Sequence, residues 1–323
     1  MELKHIYNSV QEDMAKVKNE LMSINDIDFP WLSEQVDYIM QGTGKGMRPA
    51  LTLLAGKSFE YDLTYLLPMA VSVELMHTAT LVHDDAIDKA ATRRGQTTIN
   101  ELWGEEIAIL MGDFLFAKAG GYVADTQSIR AVKIFTETLA IISSGEINQY
   151  LSAFKLNQTR DDYFHRIASK TASLFSLSTE SGAILSRAPE ASITAMRDYG
   201  HNLGVAFQIV DDILDFVSTE ETLGKPVGSD LAQGTLTLPA ILLLERFPED
   251  NPVRNIFGSR GENAEKEIEK AIKQIRESSI VKDCYDVAAQ YCASAVASLK
   301  SLPDNIHRQV LTELAEFVLS RRD

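Results

Sequence analysis

Residues 73–95 read VELMHTATLVHDDAIDKAATRRG, and residues 204–216 read GVAFQIVDDILDF. In both, apolar residues recur at three- and four-residue spacing, as on a helix, and end in a DDxxD array: Asp84, Asp85 and Asp88, then Asp211, Asp212 and Asp215. On a helix, positions i and i+4 share a face about 6 Å apart, so Asp84 with Asp88, and Asp211 with Asp215, each offer a paired oxygen surface. Like charges at that spacing repel, and the C-terminal end of a helix already carries partial negative charge. A solvated acidic helix end would explain one such array, but not two that each follow a buried apolar run. A hard divalent cation resolves the conflict: Mg²⁺ takes one or two carboxylates together with waters and substrate phosphates. Calcium fits less well, because no EF-hand loop spacing accompanies these acids.

Outward from the arrays, the same periodicity predicts helices at about 2–23, 30–41, 47–58, 63–90, 97–102, 104–124, 127–154, 160–187, 191–218, 235–246, 264–278, 280–299 and 303–321. Strand-like alternation is scarce, so the expected class is all-α, a helical bundle around a central cavity. Helix-stopping punctuation falls at 42–46, 93–95, 156–162, 187–190, 223–230 and 248–263. None reads as an interdomain linker, so the chain is expected to be a single domain over 1–323, with a catalytic core at about 30–245 and a C-terminal helical subdomain at about 263–323. No repeat of 20–50 residues is evident.

The chain has 323 residues, 45% of them hydrophobic and 24% charged, which excludes disordered and low-complexity classes. A net charge of −15 argues against nucleic acid, whose binding rests on clustered basic side chains, and against an anionic membrane surface. Cys284 and Cys292 lie on one predicted helix about 12 Å apart, too far for a disulfide, and read as core residues of a protein in a reducing compartment. The N-terminal segment carries acids throughout and lacks a signal-length apolar run. The apolar stretch 66–82 holds Glu74 and His77, and TLTLPAILLL is half the roughly 20 residues a membrane-spanning helix needs. The expectation is a cytoplasmic protein with no integral membrane segment.

Cations then mark where a second anion would sit. Lys45 and Arg48 lie in GTGKGMRP, a glycine-rich turn opening a helix whose free N–H groups favour phosphate. Arg93 and Arg94 follow the first array and can return over phosphate oxygens. His77 is seven residues before Asp84 and shares its helix face. Lys170 in HRIASKTASLF and Lys225 in LGKPVGSD are further candidate phosphate ligands, and Arg321 and Arg322 are candidates to close over the site.

GKGMRP, VELMHTATLVHDDAIDKAATRRGQTT, GDFLFAKA, SKTASLF, GVAFQIVDDILDF, LGKPVGSDL and TLTLP, in this order over residues 42–239, resemble the trans-type polyprenyl diphosphate synthases. The resemblance implies an all-α isoprenoid-synthase fold and Mg²⁺-dependent condensation of an allylic diphosphate with isopentenyl diphosphate. It implies metal ligation by Asp84, Asp85, Asp88, Asp211 and Asp215, with three Mg²⁺ per active site when substrate is bound. It assigns Arg93, Lys170, Thr171, Gln208 and Lys225 to the allylic diphosphate or the developing cation, with Lys170, Thr171 and Gln208 catalytic. Lys45, Arg48, His77 and Arg94 match the isopentenyl diphosphate site. No dedicated side-chain base stands out, so the displaced diphosphate is the expected proton acceptor.

Two positions depart from the family pattern: Gly46 stands where an arginine is common, and Thr235 where short-chain members have a lysine. Met76, Ala79 and Thr80 lie one to two turns below the first array, each turn about 5.4 Å long, and are expected to set product length. Small residues at 79 and 80 leave the tunnel open, which predicts an all-trans product of C25–C45, with Phe135 or Leu139 as a candidate floor. The alternatives are a short-chain farnesyl or geranylgeranyl synthase, the active large subunit of a heteromeric synthase, an inactive subunit, and a terpene cyclase. Whole DDxxD arrays weigh against an inactive subunit, and the second array with the RRG arginines against a cyclase. The family is generally dimeric, and the apolar predicted helices 104–124 and 127–154 are the candidate homodimer interface.

Overall fold

A computed structural model of the chain describes residues 7–25, 27–42, 44–223, 226–260 and 264–321. By contact the chain divides into two compact units, Met1–Leu139, Leu174–Gly200 and Val296–Leu314 forming one, and Ala140–Ser173, His201–Ala295 and Ala315–Asp323 the other.

In the first unit the helix Leu63–Ile87 is the centre. Asp62 caps its start by accepting the Thr64 N–H at 2.9 Å. Every residue from Met69 to Met76 is buried, as expected of a helix apolar on all sides. Met47–Lys57 and Glu105–Asp125 enclose it, and the Ser72 hydroxyl donates to the Ala119 carbonyl at 2.8 Å. Gly56 and Gly182 remove side chains where Leu66 and the Thr52 carbonyl approach too closely for a Cβ.

The helix ends at Ile87 rather than the predicted 90. Lys89 turns left-handed (φ 52°), and the Ala90 N–H closes back on the Asp85 carbonyl at 2.9 Å, so Asp84 and Asp85 lie in the last turn and Asp88 caps it. Beyond it, Thr92–Arg93 pairs antiparallel with Gln96–Thr97, the one strand pair among the described residues. Arg94 (φ 51°) and Gly95 (φ 78°) make the two-residue turn, whose double positive φ matches strand twist.

In the second unit, Arg160–Ile167 starts with a capping box: the Asp162 N–H reaches the Thr159 hydroxyl, and the Thr159 N–H reaches the Asp162 carboxylate. The predicted single helix 160–187 is interrupted. Ala168–Ala172 is one π-helical turn, in which the Ser173 N–H bonds to the Ala168 carbonyl five residues back, before the α-helix resumes at Ser173. The second array rides near the end of Glu190–Val217. Arg276, from Glu265–Glu277, donates to the Phe216 carbonyl at 2.6 Å and the Ser218 carbonyl at 3.0 Å, so a cation offsets the negative end of that helix.

The predicted punctuation at 248–263 contains a helix, Pro252–Gly258: the Asn251 side chain accepts the Val253 N–H at 2.9 Å, and proline suits a first helical position. Cys284 and Cys292 share the helix Ile280–Ser298, both buried and free.

Leu63–Ile87 and Glu105–Asp125 are each long and apolar enough to cross a membrane. The first is 67% buried inside the protein over its most apolar window. The second is 33% buried, and its length and composition escape an expectation drawn from 66–82 and TLTLPAILLL alone.

Candidate active site

The first array belongs to the first unit. Asp85 is the buried member, held by the Arg93 Nε at 2.7 Å from its Oδ1. Burial pushes its carboxyl above the usual range, with Arg93 pulling the other way. Asp84 is half-buried and Asp88 exposed.

Beside this array lies a cavity lined by Tyr38, Glu74, His77, Asp85, Arg93 and Arg94, among others. The sequence-predicted His77, Arg93 and Arg94 are thus brought together. Arg94 lies against the glycine turn: its Nη1 donates to the Gly42 carbonyl at 3.1 Å, and a Cβ on Gly44 would meet its guanidinium at 2.8 Å. Arg48 is on the first turn of Met47–Lys57, its guanidinium 5.1 Å over the Phe175 ring. Lys45 is exposed on the turn. Gly46, where the family pattern favours arginine, has φ 66° and precedes the helix, a conformation that disfavours any side chain.

Burial, then Arg48, Arg94 and Arg93, hold the His77 imidazole well below its usual range, so the ring is neutral. Burial holds the Glu74 carboxyl above its usual range against the pull of Arg48 and Arg94. The cavity therefore sets two guanidinium groups, which can pair with an anion, and one neutral ring beside the Glu74 and Asp85 carboxyls. Of the positions proposed to set product length, Met76 and Ala79 are fully buried, and Thr80 is half-buried with its hydroxyl on the His77 carbonyl at 2.7 Å.

The second array, in the second unit, is more enclosed. Asp215 is 1% exposed; the Ser229 hydroxyl donates to its Oδ1 at 2.9 Å, and the Gly228 N–H to its carbonyl at 2.9 Å. Asp212 accepts from the Tyr163 hydroxyl at 2.7 Å and the Gln208 amide at 2.8 Å, and burial, then Asp230, pushes its carboxyl upward. Asp211 pairs with Arg321 at 2.8 Å, whose guanidinium also sits 4.2 Å over the Phe207 ring.

Lys170 and Thr171 both ride the π turn, a feature frequent at functional sites. The Lys170 ammonium is 2.7 Å from Glu146, and the Thr171 hydroxyl donates to the Gln208 carbonyl oxygen at 2.5 Å. Thr235, where short-chain relatives carry lysine, donates its N–H to the Asp230 carbonyl at 2.8 Å. Lys225 and Arg322 lie outside the described residues.

Sequence reasoning missed Tyr163, Glu146 and Ser229. Tyr163 alone left a signal, lying seven residues before Lys170 and so near the same helix face.

The sequence profile of the Polyprenyl synthetase family matches residues 29–275. The chain belongs to that family.

Among its relatives is component 2 of the heptaprenyl diphosphate synthase of Geobacillus stearothermophilus, 36% identical over 322 residues, covering 99% of each chain. The chloroplastic solanesyl diphosphate synthase 1 of Arabidopsis thaliana is 36% identical over 98% of this chain and 79% of its own. Among solved structures, the polyprenyl synthase of Caulobacter crescentus CB15, complexed with calcium and isoprenyl diphosphate, superposes with a TM-score of 0.95 at 34% identity, covering 100% of this chain and 98% of that one. The chain is a trans-type polyprenyl diphosphate synthase, a prenyltransferase of the isoprenoid-synthase fold.

Proposed function

We propose that this polyprenyl diphosphate synthase elongates an allylic diphosphate with successive isopentenyl diphosphate units to a C35–C45 product, the upper part of the C25–C45 range expected from its sequence. Heptaprenyl and solanesyl synthases among its relatives support that range, as do small residues at Ala79 and Thr80. The observation that carries the site assignment is the cavity of the first unit, where Asp85, His77, Arg93 and Arg94 meet. Lys45, Arg48, His77 and Arg94 would hold isopentenyl diphosphate. Arg93, Lys170 and Lys225 would hold the allylic diphosphate.

The donor set fits a divalent metal. Asp84, Asp85, Asp88, Asp211 and Asp215 offer only hard carboxylate oxygens. Such oxygens suit Mg²⁺, an ion that keeps waters and substrate phosphate oxygens in its shell. When bound, three Mg²⁺ would neutralise the leaving diphosphate. The Thr171 and Gln208 oxygens would present dipoles to the developing allylic cation, and apolar helical walls would exclude water.

The whole chain would act as one catalytic domain in the cytoplasm, with the buried free thiols of Cys284 and Cys292 in keeping with a reducing compartment. A homodimer is the proposed assembly. Ile109 and Leu110 are 50% and 62% exposed in the first unit, and Ile147, Tyr150 and Leu151 are 61–73% exposed in the second. A second reading, an active subunit that needs a small partner, draws on the relatives named as component 2.

Incubating the purified chain with Mg²⁺, isopentenyl diphosphate and farnesyl or geranylgeranyl diphosphate, then sizing the products, tests both. Elongation to C35–C45 by the lone chain supports the first reading. Absence of incorporation favours the partner-requiring one.

A further inference from the structure

Tyr163 is fully buried in the second unit and has no part in the reading above. Its hydroxyl donates to the Asp212 Oδ2 at 2.7 Å. The other carboxylate oxygen, Oδ1, accepts from the Gln208 Nε2 at 2.8 Å, and the Gln208 Oε1 accepts from the Thr171 hydroxyl at 2.5 Å. Asp212 and Thr171 are 4% and 6% exposed, so solvent competes little for these groups.

A carboxylate only accepts hydrogen bonds, whereas an amide side chain can turn either end toward a partner. With Asp212 on one side, Gln208 must offer its NH₂ there and its carbonyl to Thr171. Threonine has a single hydroxyl proton, and here it is committed to Gln208. The Thr171 oxygen is left with lone pairs alone for whatever stands on its open side. Reversing Gln208 would free the hydroxyl proton to point at that group instead, which is the wrong polarity for a carbocation.

The ring of Tyr163 is itself fixed. The Arg166 guanidinium stands 5.6 Å over it, donates to the Gln158 Oε1 at 2.8 Å, and also donates to the Leu236 carbonyl. Arg166 is 7% exposed, so this support is internal to the unit.

We propose that Tyr163 is a positioning residue for the prenyl transfer: through Asp212 it fixes the direction of hydrogen bonding along Gln208 and Thr171, making the Thr171 oxygen a pure acceptor toward the reacting allylic carbon. This rests on the reading of Thr171 and Gln208 as the groups that face the developing cation. Linked hydrogen bonds polarise one another, so removal of the first donor is felt at the last oxygen.

Steady-state kinetics of the full chain with Mg²⁺, farnesyl diphosphate and isopentenyl diphosphate test it, using Tyr163→Phe, Gln208→Leu, Thr171→Val and the double variant Tyr163→Phe/Gln208→Leu. Tyr163→Phe is expected to lower kcat about tenfold with both KM values within about twofold, and to cost almost nothing further in the Gln208→Leu background. Tyr163→4-aminophenylalanine keeps a donor to Asp212 in a ring of the same size, and is expected to recover kcat to within about threefold of the parent. If Gln208→Leu and Thr171→Val keep the parental kcat, the reading of those two residues fails and the positioning role falls with it. If they lose activity but Tyr163→Phe does not, or its loss multiplies unchanged onto Gln208→Leu, only the role of Tyr163 is overturned. A 4-aminophenylalanine variant as slow as Tyr163→Phe also overturns it, because packing rather than the hydrogen bond would then be responsible.

Discussion

Asp85 and Arg93 meet where the central helix of the first unit ends, the guanidinium Nε 2.7 Å from the Asp85 Oδ1. The arginine comes from the first strand of the short hairpin, so the turn that stops the helix also returns a cation to its end. Replacing Arg93 with methionine leaves Asp85, 6% exposed, without its paired cation. The expected loss is about 1–3 kcal/mol of folding stability, read by urea denaturation, with the half-exposure of Arg93 keeping it toward the lower end. Unchanged stability would show that the pair contributes nothing to the fold.

Metal dependence should follow the arrays. Chelation with EDTA is expected to abolish turnover, and excess Mg²⁺ to restore it. Asp84→Ala, Asp88→Ala and Asp211→Ala should each lower kcat/KM by about 10²-fold or more, as loss of a ligand to the metal that neutralises a leaving diphosphate requires. Retention of near-parental activity by all three would overturn the metal assignment.

Product length should respond to bulk below the first array. Ala79 is fully buried, and a phenylalanine there fills the space one turn or so beneath Asp84. Ala79→Phe is expected to shift radiolabelled products toward about three isoprene units, with Thr80→Phe acting similarly. Circular dichroism establishes that each variant is folded, since overpacking at a buried site costs about 1–3 kcal/mol. An unaltered product ladder from folded variants would remove these positions from chain-length control.

A pH prediction comes from Asp13, a buried carboxyl outside the candidate site residues. Burial raises its carboxyl, but hydrogen bonds from the Tyr61 hydroxyl (2.6 Å) and the Lys57 (3.0 Å) and Lys16 (3.2 Å) ammonium groups more than offset this, and it lies below its ordinary value. A carboxyl lower in the folded than in the unfolded chain stabilises above the unfolded value of about 3.9 and loses that contribution as pH falls through the folded value. Asp13→Asn should therefore cost about 1–2 kcal/mol at neutral pH and progressively less below about pH 4, measured by denaturation at several pH values. A pH-independent difference would contradict the ion-pair origin.

Much of this molecule is legible in its sequence because its core helices are long and strongly periodic. Leu63–Ile87 and Glu190–Val217 read clearly, and the DDxxD spacing places each acidic pair on a helix face without further information. What escapes depends on partners remote in the chain or on backbone detail with no residue code. Glu146 meets Lys170, and Tyr163 meets Asp212, only once separate helices pack. Pro252–Gly258 hides because its asparagine cap and first-turn proline also spell a turn. The end of the central helix is set by a left-handed lysine, Lys89, a choice composition does not announce.

The π turn at Ala168–Ala172 places Lys170 and Thr171 on a segment wound with one residue more per turn than its neighbours. The extra residue is absorbed within that one wide turn. Deleting a single residue there would let the α-helix run through with its flanking segments still close to in phase, because one wide turn would be replaced by one α turn. The aim of Lys170 and Thr171 is thus set by residue count: a conservative exchange at Ala168 or Ser169 keeps the wide turn, whereas a one-residue deletion closes it and re-aims side chains within that turn alone.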